Sequence, residues 1–159
     1  EPEMRRERLD PMLRALGATS IGLPYGQIGT ALATNLIDGA ENNWPSYVSA
    51  GHHKAAPFYA VTEHSMGPEI VIMSRRAWDE LSPQDRDTFR TAARESTRYM
   101  REQWLGWEER SRKDAMAAGV SIIDTIDRKP FEAATAALRK ELRGDPQLGA
   151  LIKRIEAEQ

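Results

Sequence analysis

The segment that decides the fold is Ile37-Asp38-Gly39-Ala40-Glu41-Asn42-Asn43-Trp44-Pro45-Ser46-Tyr47. It combines carboxylates, two neighbouring amides, two aromatic rings and a glycine. Amides and carboxylates read hydroxyl groups well because each offers fixed donors or acceptors, and Trp44 and Tyr47 can offer flat apolar faces to a ring or simply pack. The segment shows no nucleophile beside an obvious partner and no metal-ligand spacing. It therefore favours recognition of a small polar molecule over chemistry on that molecule.

The same residues are also typical of a structural turn, because Asp-Gly, Asn-Asn and Trp-Pro pairs commonly separate regular elements. The segments just before them bear on this alternative. Residues 20–23 predict a short strand, residues 28–36 predict a helix with Ile28, Leu32 and Leu36 on one face, and Ile37 begins a second short strand. Strand, helix and strand at this length predict a βαβ unit with a right-handed crossover in a parallel sheet.

The rest of the chain continues an α/β pattern. The other predicted elements, in order, are a helix over 3–16, one or two helical turns over 45–50, a strand over 58–62, a fully buried strand over 70–73, a helix over 82–118, a strand over 120–124, a helix over 130–142 and a last helix after Asp145-Pro146 whose Leu148, Leu151, Ile152 and Ile155 face inward. The strand at 70–73 is predicted to be buried because its apolar run is continuous rather than alternating.

The helix over 82–118 has a clear beginning, since Ser82 can cap it and Pro83 suits the first helical position. Its length of roughly 50 Å exceeds what one small domain needs, so we expect it to span two lobes. The predicted inner face consists of Phe89, Ala92, Ala93, Ser96, Tyr99, Met100, Gln103 and Trp107. An alternative is a helical interaction module in which this face binds another protein.

Composition excludes several classes of protein. The 159 residues are 40% hydrophobic and 29% charged, which suits one globular domain of ordinary size. The net charge of −2 points to neither nucleic acid nor an anionic membrane surface. The absence of cysteine excludes disulfides and thiolate metal sites. Because the chain opens at Glu1-Pro2-Glu3 without methionine, we expect a mature or truncated product.

Two kinds of reactive site are weighed from the polar residues. The three histidines, His52, His53 and His64, fit no standard zinc spacing, so we predict neither a metal nor a cofactor. Glu63, His64 and Glu69 could act as general acid and base. A hydrolase or lyase domain built on these three residues is therefore the alternative to a binding protein, although the G-x-S-x-G elbow is missing.

Several motifs follow one another in a recognisable order. They are Leu16-Gly17-Ala18 with Leu23-Pro24-Tyr25-Gly26-Gln27, Thr30-Ala31-Leu32 with Ile37-Asp38-Gly39-Ala40-Glu41-Asn42, Thr62-Glu63-His64, and Trp78-Asp79-Glu80-Leu81-Ser82-Pro83. This order resembles the solute-binding proteins of the tripartite ATP-independent periplasmic (TRAP) transporters, the DctP-like family. The likeness runs from about residue 10 to the end of the chain.

The resemblance implies the C-terminal part of a two-lobed periplasmic binding protein fold. Its expected divisions are a second-lobe βαβ segment over 1–55, crossover strands towards the first lobe over 56–81, the long lobe-spanning helix over 82–118, and a C-terminal strand and helices over 119–159. Family members are about twice this length, so the N-terminal lobe is expected to be largely absent from the chain. The arginine that clamps a ligand carboxylate in the family is expected in that absent part.

The resemblance also implies a function without catalysis. Such proteins hold a small organic acid in the cleft between the lobes and deliver it to a sodium-coupled membrane permease. The expected location is the periplasm. The expected partners are the acid, the permease subunits and the missing N-terminal half, with no nucleic acid. The double asparagine and the Pro68-Glu69 pair resemble members that bind sugar acids such as uronates, with C4-dicarboxylates as the next candidates.

Ligand-binding residues are carried over by position. Asn42 matches the family's amide beside the ligand, Tyr25 matches an aromatic position at the cleft, and His64 lies at the polar turn that enters the cleft. On their chemistry alone, four more residues join the predicted ligand-binding set: Glu41, Asn43, Trp44 and Glu69.

Overall fold

The computed structural model describes residues 2–67 and 70–158, with side chains described from residue 9 onward. Its helices are α1 (Pro2–Ala15), α2 (Ile28–Ala33), α3 (Trp44–Ser49), α4 (Arg75–Asp79), α5 (Pro83–Ala117), α6 (Lys129–Ala134), α7 (Ala136–Gly144) and α8 (Pro146–Glu156). Its strands in the described residues are β1 (Phe58–Ala60) and β2 (Ser121–Ile123), and short 3₁₀ turns cover Tyr25–Gln27 and His52–Lys54.

The chain forms two compact units. One combines the residues up to Tyr25 with those from Thr125 onward, and the other runs from Gly26 to Asp124. The predicted divisions at residues 55, 81 and 118 stay predictions.

The central unit, Gly26 to Asp124, is built around a small parallel sheet. β1 and β2 pair in parallel with Tyr59 opposite Ile122, and α5 lies between them in sequence, so the two strands complete a βαβ connection. The core consists of Tyr47 from α3, Ala115 from α5 and Val120 just before β2. α3 therefore packs against the C-terminal end of α5, beside the sheet.

The terminal unit is a set of packed helices. α7 packs against both α1 and α8, and α6 packs against α7. Asp145 ends α7 and caps α8, since its side chain accepts hydrogen bonds from the backbone N–H groups of Gln147 and Leu148. Arg143 and Glu156 form an ion pair that joins α7 to the end of α8.

Several predicted elements are confirmed at close to their predicted bounds, namely α1, α3, β1, α5, β2 and α8. The start of α5 is confirmed in detail. The Ser82 hydroxyl accepts a hydrogen bond from Asp85 N at 3.1 Å and donates one to the Asp85 carboxylate at 2.7 Å, and Pro83 holds the first helical position.

The strands predicted at 20–23 and from Ile37 are wrong, because the structure has no strand in either segment. A strand needs a hydrogen-bonded neighbour, and the described residues supply none for these two segments. The helix between them also ends early, at Ala33. Asn35 adopts a left-handed φ of 55°, and Leu36 N bonds Ala31 O at 2.9 Å, which is a Schellman termination.

The buried strand predicted over 70–73 is also wrong. These four residues form no strand in the structure, and Ile70, Val71 and Ile72 are 75%, 79% and 73% exposed. The continuous apolar run predicted burial, and no described segment covers these residues.

Two predicted helix faces and one predicted helix are corrected. On α5, Phe89, Tyr99, Met100 and Trp107 are exposed, because the described part of the chain buries residues of this helix only near its C-terminal end, at Ser111 and Ala115. On α8, Leu148, Leu151 and Ile155 are 40%, 49% and 52% exposed. Ile152 is partly buried, and the buried residue of the helix is Gly149. The helix predicted over 130–142 is two helices separated at Thr135.

Candidate functional site

The polar loop before α3 is held in shape by its own amides. Asn43 is the N-cap of α3, since its side chain accepts a hydrogen bond from Ser46 N at 2.9 Å. The Asn42 side-chain oxygen accepts a hydrogen bond from Asn43 N at 3.0 Å. Within the described part of the chain, nothing accepts a hydrogen bond from the Asn42 amide nitrogen. The loop therefore presents two N–H donors of Asn42 in a defined orientation.

An aromatic cluster of Trp44, Tyr47 and Tyr59 packs beside this loop. The Trp44 and Tyr59 rings are stacked, with centroids 3.6 Å apart and an interplanar angle of 20°. Tyr47 lies edge-on to Trp44 at 6.2 Å and tilted against Tyr59 at 4.9 Å. The Tyr47 hydroxyl donates to Ala56 O at 2.6 Å, which ties α3 to the chain entering β1. One face of Trp44 is thus used for packing.

β1 leads directly to the second polar segment, Thr62 to His64. The strand is prolonged by the hydrogen bond from Val61 N to Ile123 O at 2.9 Å. The chain then bends at Glu63, a non-glycine residue with a left-handed φ of 48°. Such a conformation is uncommon and is found often at functional sites. It follows that the strand sets where His64 is presented.

His64 meets the first polar loop. Its Nε2 lies 3.7 Å from Glu41 Oε2, and the two side chains are 32% and 28% exposed. Its Nδ1 lies 2.7 Å from Thr62 Oγ1, within hydrogen-bond distance. Glu41 and His64 are 23 positions apart in the sequence, and the fold brings them together with both side chains partly exposed.

Two further residues belong to this neighbourhood and were not predicted. The Tyr59 hydroxyl donates to Asn42 O at 2.9 Å. Burial, and then the nearby charge of Glu108 on α5, raises the pKa of Tyr59 to about 12, with smaller contributions from Tyr47 and Glu41. Tyr59 is therefore a protonated donor across the physiological range. Its place in a short strand carried no signal in the sequence, and Glu108 is one of many charged residues on α5.

The structure treats the predicted site residues differently. It brings Glu41, Asn42, Asn43, Trp44 and His64 together within the central unit. Tyr25 belongs to the terminal unit and is 53% exposed. Glu69 lies outside the described residues, so its predicted role stays a prediction.

No described group of three or more histidine, aspartate or glutamate side chains is arranged to hold a metal ion. Over the same residues, no helix combines the length and apolar character that crossing a membrane requires.

Known proteins resemble this chain over nearly all of its length. The sequence model of the DctP family, described as bacterial extracellular solute-binding protein, family 7, matches residues 4–145. A solute-binding protein of Chromohalobacter salexigens is 34% identical over 146 residues, which are 91% of this chain and 44% of that protein. The chain thus spans less than half the length of this relative.

Solved structures agree with the sequence match. A TRAP periplasmic solute-binding protein of Bradyrhizobium sp. BTAi1, in complex with α/β-D-galacturonate, is 43% identical with a TM-score of 0.87 over 94% of this chain and 50% of its own. Another from Chromohalobacter salexigens, with bound D-glucuronate, is 33% identical with a TM-score of 0.89 over 95% of this chain and 50% of its own. The resemblance read from the motifs is confirmed, and with it the α/β fold class of one part of such a protein. The chain belongs to the DctP family, family 7 of the bacterial extracellular solute-binding proteins.

Proposed function

We propose that this chain is part of the solute-binding component of a TRAP transporter and that its ligand is a sugar acid, with a uronate favoured over a C4-dicarboxylate. The observation that carries the proposal is the match at TM-scores of 0.87 and 0.89 to proteins holding galacturonate and glucuronate. The side chains gathered in the central unit have suitable chemistry, because a uronate combines several hydroxyls with one carboxylate.

Within the proposed site, the roles of Glu41, Asn42, Asn43, Trp44 and His64 follow from their contacts. Asn42 directs its amide N–H groups to a carboxylate or hydroxyl oxygen of the ligand. Glu41 accepts hydrogen bonds from sugar hydroxyls, and His64, paired with Glu41, reads a further hydroxyl. For Tyr25 and Glu69 we retain the roles predicted from the sequence, an aromatic position at the cleft and a further hydrogen-bonding group. Asn43 and Trp44 act mainly by building the loop.

The proposal extends to the rest of the protein. The chain spans 50% of the length of the matched structures, and the exposed apolar residues 70–73 are suited to pairing with a further strand. We propose that residues 70–73 are buried by a region that corresponds to the other half of the relatives. Ligand binding would then close the two lobes by a hinge motion, in the periplasm, before delivery to the permease.

The alternative of a hydrolase or lyase is not favoured. The family and the matched structures are solute-binding proteins.

The test is ligand binding by the whole protein that contains this chain. Thermal unfolding and calorimetric titration would compare D-glucuronate, D-galacturonate, succinate and D-glucose, the last having the ring without the carboxylate. A ligand at about 100 times its Kd stabilises the folded state by about 2.7 kcal/mol, and we expect this only for the uronates. Stabilisation by succinate alone would contradict the sugar-acid assignment. Equal binding of glucose would contradict recognition of the carboxylate.

The role of Asn42 is tested by Asn42→Ala. Loss of a hydrogen bond to a charged group should weaken uronate binding by about 10- to 100-fold. Recovery of the ligand unchanged, by NMR after prolonged incubation, separates a binding protein from the hydrolase alternative.

A further inference from the structure

Tyr59 is the residue through which both polar segments are attached to the sheet. It lies in the middle of β1, opposite Ile122 of β2. His64 follows Tyr59 by five residues, in the segment that continues from β1. The Tyr59 hydroxyl reaches the other segment, donating to Asn42 O at 2.9 Å. The positions of Asn42 and His64 therefore both depend on β1.

The ring of Tyr59 supports the same loop. It stacks on Trp44 at 3.6 Å, and Trp44 follows Asn42 by two residues. Trp44 and Tyr59 both pack against the core formed by Tyr47, Ala115 and Val120. The loop is thus fixed by a hydrogen bond before α3 and by ring stacking at the first residue of α3.

The other contact between the two segments is weaker. Glu41 and His64 are 3.7 Å apart and partly exposed, and polar contacts at this distance and exposure contribute little to stability because solvent competes with them. The half-buried hydroxyl of Tyr59 is the better anchor. Its acceptor is a backbone carbonyl, whose position sets the direction of the Asn42 side chain, because the side chain is itself bonded to Asn43 N.

We propose that Tyr59 is a positioning residue for ligand binding: its hydroxyl holds the backbone of Asn42 so that the Asn42 amide is oriented before the ligand arrives. The inference rests on the proposed function and adds a residue that the proposed function does not use. Preorganisation of this kind improves affinity because the ordering of the loop is completed before binding.

The test is Tyr59→Phe in the whole protein that contains this chain. The variant keeps the stacked ring and removes only the hydroxyl. We expect the Kd for D-glucuronate or D-galacturonate to rise by about 3- to 10-fold, the usual range for one neutral hydrogen bond. The matched control is Tyr99→Phe, which removes a hydroxyl from a ring on α5 that is 65% exposed, and it should leave the Kd unchanged.

A double-mutant cycle distinguishes positioning from general stabilisation. If Tyr59 acts through Asn42, Tyr59→Phe should change the Kd by less than about 2-fold once Asn42→Ala is present, because coupled residues are not additive. Equal fold-changes in both backgrounds would overturn the inference. Unchanged affinity of Tyr59→Phe, in a protein whose wild type binds a uronate, would also overturn it. Failure of the wild type to bind any sugar acid would instead overturn the proposed function.

Amide hydrogen exchange of the ligand-free protein gives a second readout. Tyr59→Phe should speed exchange at Asn43, whose amide donates to the Asn42 side chain, relative to the wild type, because the loop loses its anchor. Unaltered exchange there would contradict the proposed mechanism, even if affinity fell.

Discussion

At the scale of single residues, His52 shows how the fold changes the chemistry of a side chain. It is 3% exposed, in the 3₁₀ turn after α3. Its ring packs against Gly29 of α2, where a side-chain Cβ would lie 3.7 Å from the His52 Cδ2. Burial, and then the charge of His53, lowers the pKa of His52 below its ordinary value. The folded state therefore favours neutral His52.

This lowered pKa predicts a loss of stability in mild acid. Below the unfolded value of about 6.5, the unfolded state binds more protons than the folded state, so the free energy of unfolding rises with pH. The stability that the protein gains from keeping His52 neutral is fully present above the unfolded pKa of about 6.5. It is lost as the pH falls through the lowered pKa of His52 in the folded state. Denaturant unfolding at several pH values between about 5 and 8 should show this increase of the free energy of unfolding with pH. His52→Gln should reduce it.

His53→Gln serves as the matched control for that measurement. It removes only the smaller cause of the shift and should keep most of the pH dependence. An identical slope in the wild type and in His52→Gln would contradict the prediction.

At the scale of elements, the contact between α7 and α8 depends on Gly149. A Cβ at this position would collide with the backbone carbonyl oxygen of Arg143 and lie 3.2 Å from the Arg143 carbonyl carbon. Gly149→Ala should therefore destabilise the protein by about 1–3 kcal/mol, although alanine favours a helix by about 1 kcal/mol over glycine. Chemical denaturation measures the difference.

Gly106 in α5 is the matched control. Its added Cβ would meet the guanidinium Nη1 of Arg110 at 3.2 Å, and that group is the far end of a flexible side chain. Gly106→Ala should stabilise the protein by roughly 0.5–1 kcal/mol. Stabilisation by both substitutions would show that α7 and α8 do not approach as closely as the structure indicates.

The beginning of α5 depends on a different interaction. Ser82→Ala removes the acceptor for Asp85 N and should cost about 1 kcal/mol of stability, whereas Ser82→Asp should retain most of it. Ser96→Ala, on the exposed part of the same helix, is the control and should lose no stability, because alanine favours a helix interior over serine by a few tenths of a kcal/mol. Equal stabilities of Ser82→Ala and the wild type, from denaturant midpoints, would contradict the capping role.

At the scale of the whole molecule, the exposed apolar segment 70–73 leads to a prediction about its cover. If the proposed further region packs on it, the amides of Val71 and Ile72 should exchange slowly in the whole protein and fast in the 159-residue chain alone. Mass spectrometry of exchanged peptides measures this. The amide of Val61, bonded to Ile123 O, is the internal control and should be protected in both samples. Equal, fast exchange at 70–73 in both would contradict the proposed cover.

The sequence by itself determined the features that depend on local chemistry. The Ser82 and Pro83 start of α5, the Asp145 start of α8 and the polar loop at Asn42 follow from capping and turn preferences within a few residues. The motif order also determined the family. Local patterns predicted strands and buried helix faces less well where these depend on a partner distant in the sequence. The examples are residues 20–23, residues 70–73 and the first part of α5.

Only the tertiary structure decided how the candidate site is assembled. It placed His64 beside Glu41, stacked Tyr59 on Trp44, and directed the Tyr59 hydroxyl to the backbone of Asn42. These pairs are 15 to 23 positions apart. The parallel pairing of β1 with β2, completed only after the whole length of α5, fixes the strand that carries Tyr59. No local pattern records such a contact, because its geometry depends on elements that meet only when the sheet forms.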